Sequence, residues 1–291
     1  MNGISVIVPS VRKTDEVPRN LSSIALALRN YKGPGELIIM ADRSLESNDF
    51  LKIFARQNPC VRLEESKIHI GSANARLEAL KLAKHSIIVF TDDDCSVASD
   101  WIVRMEERVS TFGVVTGNLA ANNQENRCSQ VDAYIDQMRM KSVNELGEVK
   151  YISFPNFAIW RHLLPEIPFS ADERNMAEDI DLGCRLRLAG IKIYFDESII
   201  VYTQYPTSFL SLLRRKIKHA KGIAFLRANL GRENCIHLGL SESPGEMFFR
   251  WSNLALQASL TPLQKVYWLM ANIAYCLALV HYDKKFLNQG L

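Results

Sequence analysis

The chain has no Cys-x-x-Cys pair and no cysteine–histidine spacing of the kind that grips a structural metal. Its six cysteines (Cys60, Cys95, Cys128, Cys184, Cys235, Cys276) lie far apart. That excludes a metal-stapled or disulfide-framed scaffold and reads as scattered thiols in a reducing, cytoplasmic setting. The opening MNGISVIVPS lacks a basic region followed by a long apolar stretch, so no secretory leader is expected. Charge of one sign is scarce: the formal net charge is +3, too small to argue for nucleic acid as a partner. No glycine occurs in VPSVRKTDEVP, residues 8–18, so a glycine-rich phosphate loop after the first apolar run is excluded. Long hydrophobic runs are few as well. One run raises a membrane question: residues 266–282 are free of Asp, Glu, Lys and Arg, and a helix there would reach roughly 25 Å, short of the ~20 apolar residues of a usual span. It carries Asn272, His281 and three tyrosines, which favours a buried or interfacial helix.

What is present is an ordinary globular composition, 47% hydrophobic and 23% charged over 291 residues, enough for one large domain with an appended part. ISVIVP (4–9), ELIIMA (36–41) and SIIVFT (86–91) are continuous, β-branched-rich runs of strand length, suited to strands covered on both faces. RNLSSIALALRN (19–30) and SANARLEALKLAKH (72–85) have helical spacing. In the second, Ala73, Leu77, Leu80 and Lys84 share a face, while Arg76, Glu78 and Lys81 are expected on the more exposed side. Gly71-Ser72 and Ser99-Asp100 are helix starts. The alternation predicts a doubly wound α/β layer. Residues 151–160 read as a further strand with Asn156 near its end, 129–146 as a helix, and 206–229, 243–258 and 261–282 as C-terminal helices.

Ligands of open α/β sheets bind beyond the carboxyl ends of the strands. Pro9-Ser10, Asp42 and Asp92-Asp93-Asp94 each follow a strand at that edge, so three polar loops are expected to converge on one crevice. Three adjacent carboxylates repel one another by roughly 1 kcal/mol per pair in water and about 4 at an effective dielectric of 20. Such a cluster can hold a hard divalent cation, act as an acid/base pair, or cap the next helix. The second constellation is NMAEDIDLGCRLRLAG, 175–190. On a helix Asp179 falls on the apolar stripe of Leu182, Gly183 and Leu186, with Glu178, Asp181 and Arg185 on the adjoining polar face. Burial would raise the proton affinity of Asp179 and a helix N-terminus would lower it; periodicity alone leaves first-turn carboxylates without chemistry equally open.

SIIVFTDDD and AEDIDLGCRLRLAG, together with ISVIVPS, the lead-in GSANARLEALKLAKH and the later VYTQYPTSFLSLLRRKIKHAKG (201–222), resemble the family 2 glycosyltransferases of the GT-A fold over residues 3 to about 225. The resemblance implies a Rossmann-like, doubly wound mixed sheet (1–204) that binds a nucleotide sugar, followed by a C-terminal helical extension (205–291). It implies inverting transfer of a sugar from a nucleoside-diphosphate donor to an acceptor hydroxyl, assisted by Mn²⁺ or Mg²⁺. Asp92 and Asp94 match the ends of the DxD motif as metal ligands, with Asp92 and Asp93 at the donor. Asp179 matches the general base and Glu178 its acidic neighbour. Pro9, Ser10, Asp42 and Arg76 fall around the nucleotide, and Arg214 and Arg215 match a basic stretch that approaches the diphosphate. Asn156 and Asp181 are placed on the acceptor side, the acceptor being a glycan, a lipid-linked molecule or a peptide.

The chain also departs from the family pattern. Thr203 stands where members often carry a histidine after the last strand. Ala41-Asp42 replaces a pair of acidic or amide residues in the donor-base loop, and Leu77 and Ala79 replace an asparagine and a glycine after the nucleotide arginine. The alternatives kept beside the transferase are a metal-dependent nucleotidyltransferase or phosphohydrolase, and a non-catalytic nucleotide-binding relative. Arg214, Lys218 and Lys221 run along one helix face, and His219 is expected at the surface. The apolar 266–282 segment with Lys284-Lys285 suits peripheral contact with the inner face of a membrane.

Overall fold

A computed structural model describes residues 2–10, 17–41, 49–140, 144–170, 172 and 177–287. The first apolar run is β1 (Ile4–Ser10), followed by α1 (Val17–Asn30), β2 (Gly35–Ala41), α2 (Asp49–Gln57), β3 (Val61–Glu65) and α3 (Gly71–Leu82). Next come β4 (Ile87–Phe90), the two-residue β5 (Ser96–Val97), α4 (Trp101–Phe112), β6 (Val114–Ala121), α5 (Arg127–Arg139) and β7 (Phe157–Trp160). The chain closes with α6 (Glu178–Leu188), β8 (Tyr194–Thr203), α7 (Phe209–Leu238), α8 (Pro244–Gln257) and α9 (Pro262–Leu287). The strands form one eight-stranded sheet in the order β3-β2-β1-β4-β7-β6-β8-β5. The half made of β1 to β4 is parallel, and β7 enters antiparallel to both β4 and β6, which makes the sheet mixed.

The continuous apolar runs are explained by burial on both faces. Val6 and Val8 point into one core with Leu37, Ile39 and Val89, under α1 and α4. Ile7, Ile38, Ile88 and Phe90 alternate into a second core under α3 and α6. The helix β3 follows, α2, and β3 itself had no sequence forecast: VRLEE has no apolar run, because as the edge strand it is only half-buried. The C-terminal helices match their expected places. Ser208 and Ser243 each cap a helix through a reciprocal capping box, the second with Pro244 at its first turn. The 206–229 forecast ends where α7 breaks, at Gly231, whose φ of 75° is left-handed. These helices share their cores with α5 and α6.

Asn156, expected near the far end of a strand and on the acceptor side, instead precedes the first residue of β7 and lines neither large cavity. It closes the short 3-10 turn Phe154–Asn156 ahead of β7 and is fully buried. Its side-chain oxygen accepts from Trp101 Nε1 (3.0 Å), and its amide donates to the carbonyls of Asn118 (2.8 Å) and Ile199 (2.9 Å), tying α4, β6 and β8 together. Gly117 lies against it: a Cβ there would sit 2.2 Å from Asn156 Nδ2 and 2.6 Å from the Ile199 carbonyl oxygen. Asn156→Ala leaves those three groups without their partner and is expected to lower stability by roughly 2–5 kcal/mol in urea unfolding; a loss below about 1 kcal/mol would show that water replaces the amide.

Candidate active site

The crowding of Asp92, Asp93 and Asp94 at the end of β4 is resolved by giving each carboxylate a different neighbour. Asp93 is buried and accepts from Ser10 Oγ (3.2 Å) at the end of β1, while Asn20 holds its carbonyl (3.1 Å). Asp94 is buried toward β8, where Thr203 Oγ1 lies 3.4 Å away. Asp92 alone retains appreciable exposure, 21% of its side chain, and meets Arg76 Nη2 at 2.5 Å. The strand order makes this possible, since β1 and β4 are neighbours and deliver their carboxyl ends together.

Arg76 is the main surprise of α3. Helical periodicity assigns it to the exposed side, yet it is only 4% exposed. Its guanidinium spans Asp92 and Glu178 Oε1 (2.8 Å) and lies 4.6 Å over the ring of Phe154. Ser72, one turn earlier, donates to the same Glu178 oxygen at 3.1 Å. Burial works against the Arg76 charge, but Asp92 and Glu178 outweigh it and hold the cation in place. One side chain thereby fastens the start of α6 to the end of β4.

That fastening sets Asp179 opposite the triplet. Pro9, Arg76, Asp92, Asp93, Asp94, Glu178 and Asp179 all line a single cavity of about 950 Å³. The Asp179 carboxyl accepts from the backbone N–H of Ile180 (2.8 Å). Its pKa is pushed up to about 6, first by burial and then by the adjacent Glu178, while Arg139 and Arg76 pull it down. A carboxyl of that affinity takes up and releases a proton near neutral pH. Among the described residues no three His, Cys, Asp or Glu side chains gather into a metal-holding group. Asp92 and Asp94 are among the carboxylates that line the cavity, and they offer the oxygen donors that a hard cation takes together with substrate oxygens and water.

A model described as "Glycosyltransferase like family 2" matches residues 2–222. The chain belongs to this family. It is a glycosyltransferase, and its mixed sheet with flanking helices is the GT-A fold. It is 21% identical over 229 residues to a poly-beta-1,6-N-acetyl-D-glucosamine synthase of Staphylococcus epidermidis, covering 76% of this chain and 55% of that one. The chain thus spans about half the length of the curated relatives it matches. Among solved structures, a mannosyltransferase of Pyrobaculum calidifontis in complex with GDP-Man and Mn²⁺ superposes with a TM-score of 0.67 at 18% identity, covering 97% of this chain and 86% of the other. A fragment of S. aureus TarS in complex with UDP-GlcNAc gives 0.54 at 14% identity, covering 99% and 92%.

The other expected site residues of the glycosyltransferase divide. Asp42 lies outside the described residues. Ser10 is fully buried and serves the cavity only by holding Asp93. Arg214 is exposed and does not line the cavity, because it projects from the outer side of α7. Arg215 does line it, but its fork is committed to Asp132 (3.0 Å) and Asp136 (3.1 Å) of α5. Asp181 is 1% exposed and also outside it: it accepts from the Ser170 N–H and from Arg185 Nε, both at 2.7 Å, stapling the preceding loop to α6. The pair with Arg185 matches its i,i+4 forecast; a place beside an acceptor does not follow. His219 is not at the surface but half-buried in the cavity wall, and burial plus the cations Arg215, Lys216 and Arg139 hold its pKa well below 6.5. Arg139, Asp132 and Asp136 had escaped notice. Their signal was a charged i, i+4, i+7 face on the helix SQVDAYIDQMR.

Arg76→Met strands Asp92 and Glu178 against each other in a largely buried site. It is expected to cost about 3–5 kcal/mol in chemical unfolding, and Arg76→Met/Glu178→Gln to recover part of it, because the second change removes one of the stranded charges. A double variant no more stable than the single would remove the bridge from the argument.

Proposed function

We propose that this glycosyltransferase moves a sugar, with inversion, from a nucleoside-diphosphate sugar to an acceptor hydroxyl that Asp179 deprotonates. The observation that carries the proposal is that Asp179, on α6, lines the same cavity as the aspartate triplet, on β4, with its proton affinity raised toward neutrality. In the step, the acceptor O–H proton goes to the Asp179 carboxylate as the oxygen bonds the anomeric carbon. The bond from that carbon to the β-phosphate oxygen breaks, its electron pair leaving on the nucleoside diphosphate. Mn²⁺ or Mg²⁺ held by Asp92 and Asp94 would stabilise the negative charge of that leaving group. Asp93 and Ser10 hold the floor in shape, and Pro9 lies where the nucleotide enters. GDP-Man in one structural neighbour and UDP-GlcNAc in another support the donor class. In this reading residues 1–204 are the donor-binding catalytic part and 205–291 an extension that walls its far side.

We also propose that α9 lies against a membrane surface. It carries exposed Leu263, Val266, Met270, Ile273, Leu277 and Val280 at alternating intervals of three and four, with Lys284 and Lys285 beyond them. Its apolar window is only 33% buried, which suits a helix lying in the interface plane. Flotation with anionic liposomes is expected at low salt and to be lost in Leu277→Asp; recovery of the protein only in the soluble fraction overturns this.

Transfer is expected to rise with pH along a limb of apparent pKa near 6, since the base must be unprotonated. Asp179→Asn should remove the limb and lower the rate by on the order of 10²–10⁴. Glu178→Gln takes away the like charge that raises the Asp179 pKa, so the limb should move to lower pH. Assays with nucleotide sugars and Mn²⁺ decide it: an Asp179→Asn enzyme as fast as the wild type ends the base assignment.

A further inference from the structure

A second cavity, about 990 Å³, lies between α5, the start of α6 and the three C-terminal helices. It is of the size that encloses a small-molecule ligand. Asp179, Arg139, Tyr151 and His219 line both cavities, so the two meet at Asp179. The aspartate triplet borders only the first. Among the residues that border only the second, Ile223, Leu240, Met247, Trp251, Trp268 and Tyr275 present aliphatic, thioether and aromatic surface beside charged groups such as Arg227, Glu242 and Arg250. Some of the polar groups in its wall are already paired, Arg250 with Glu242 (2.8 Å) and Arg227 with Asp283 (3.1 Å).

We infer that this second cavity holds the acceptor, and that the acceptor is an amphiphile: a hydroxyl-bearing headgroup at Asp179 with an alkyl or aryl body among Met247, Trp251, Trp268 and Tyr275. The inference rests on Asp179 as the base. With the donor on the triplet's side, this chamber gives an acceptor oxygen a way to Asp179 from the side away from the triplet. Sugar headgroups stack on tryptophan and tyrosine faces, but the aliphatic side chains beyond them match only an apolar body.

Isothermal titration of the full chain with methyl glucoside and with octyl glucoside below its micelle concentration tests the inference. The octyl compound should bind about tenfold tighter or more, as its methylenes leave water. Trp251→Ala and Met247→Glu, both at half-buried positions, should abolish that preference while the thermal shift produced by UDP or GDP with Mn²⁺ persists. Leu277→Ser, on the outer stripe of α9, should keep it. Equal affinity for the two glucosides in the wild type overturns the proposal. So does a preference that survives both chamber variants or disappears in Leu277→Ser, since the detergent would then be on the surface. If Asp179 is not the base, Asp179→Asn transfers sugar as fast as the wild type while the chain-length preference stands, so the two readings fail separately.

Discussion

The arrangement depends on one buried cation. Arg76 leaves α3 and reaches two carboxylates from distant parts of the chain, Asp92 at the end of β4 and Glu178 at the start of α6. Neither carboxylate would remain so far out of water facing the other without it, because the repulsion of like charges grows as the local dielectric falls. The bridge therefore does more than join two elements. It brings the start of the helix that carries Asp179 to the cavity that the aspartate triplet lines.

The aspartate triplet and the α6 carboxylates solve the same electrostatic problem in different ways. In the triplet, Asp93 and Asp94 are turned inward to hydroxyl partners, and Asp92 is given to an arginine. On α6, Glu178 shares that arginine, while at Asp179 burial and a like-charged neighbour outweigh a backbone N–H and the more distant Arg139 and Arg76. Carboxylates that are chemically alike are thus given different surroundings, and Asp179 is the one among them whose proton affinity is raised to about 6. Behind Asp179, Arg215 and Lys216 pair with Asp132 and Asp136, so positive charge on α7 is consumed in packing α7 onto α5.

Much of the fold was legible because the physics behind it is local. Continuous apolar runs marked the doubly covered strands, and Gly71-Ser72 and Ser99-Asp100 marked the starts of α3 and α4. β3 escaped because an edge strand needs little apolar surface. The site was legible in its carboxylates and misjudged in its supports. Periodicity treats charge as a solvent-facing property and so sets Arg76 outward; the resemblance sets Asn156, Asp181 and Arg214 beside the substrates, whereas the first two are buried in packing contacts and the third faces solvent.

By itself the sequence determined the α/β layer, the strand ends at which carboxylates accumulate, and the unusual seat of Asp179 on an apolar helix stripe. These follow from spacing, which is a property of the backbone repeat. Only the tertiary structure decided which charges meet: that Arg76 turns inward to join β4 to α6, that Arg215 is spent on α5, and that an apolar chamber opens behind Asp179. Such pairings depend on distances between segments about a hundred residues apart, and no local period encodes them.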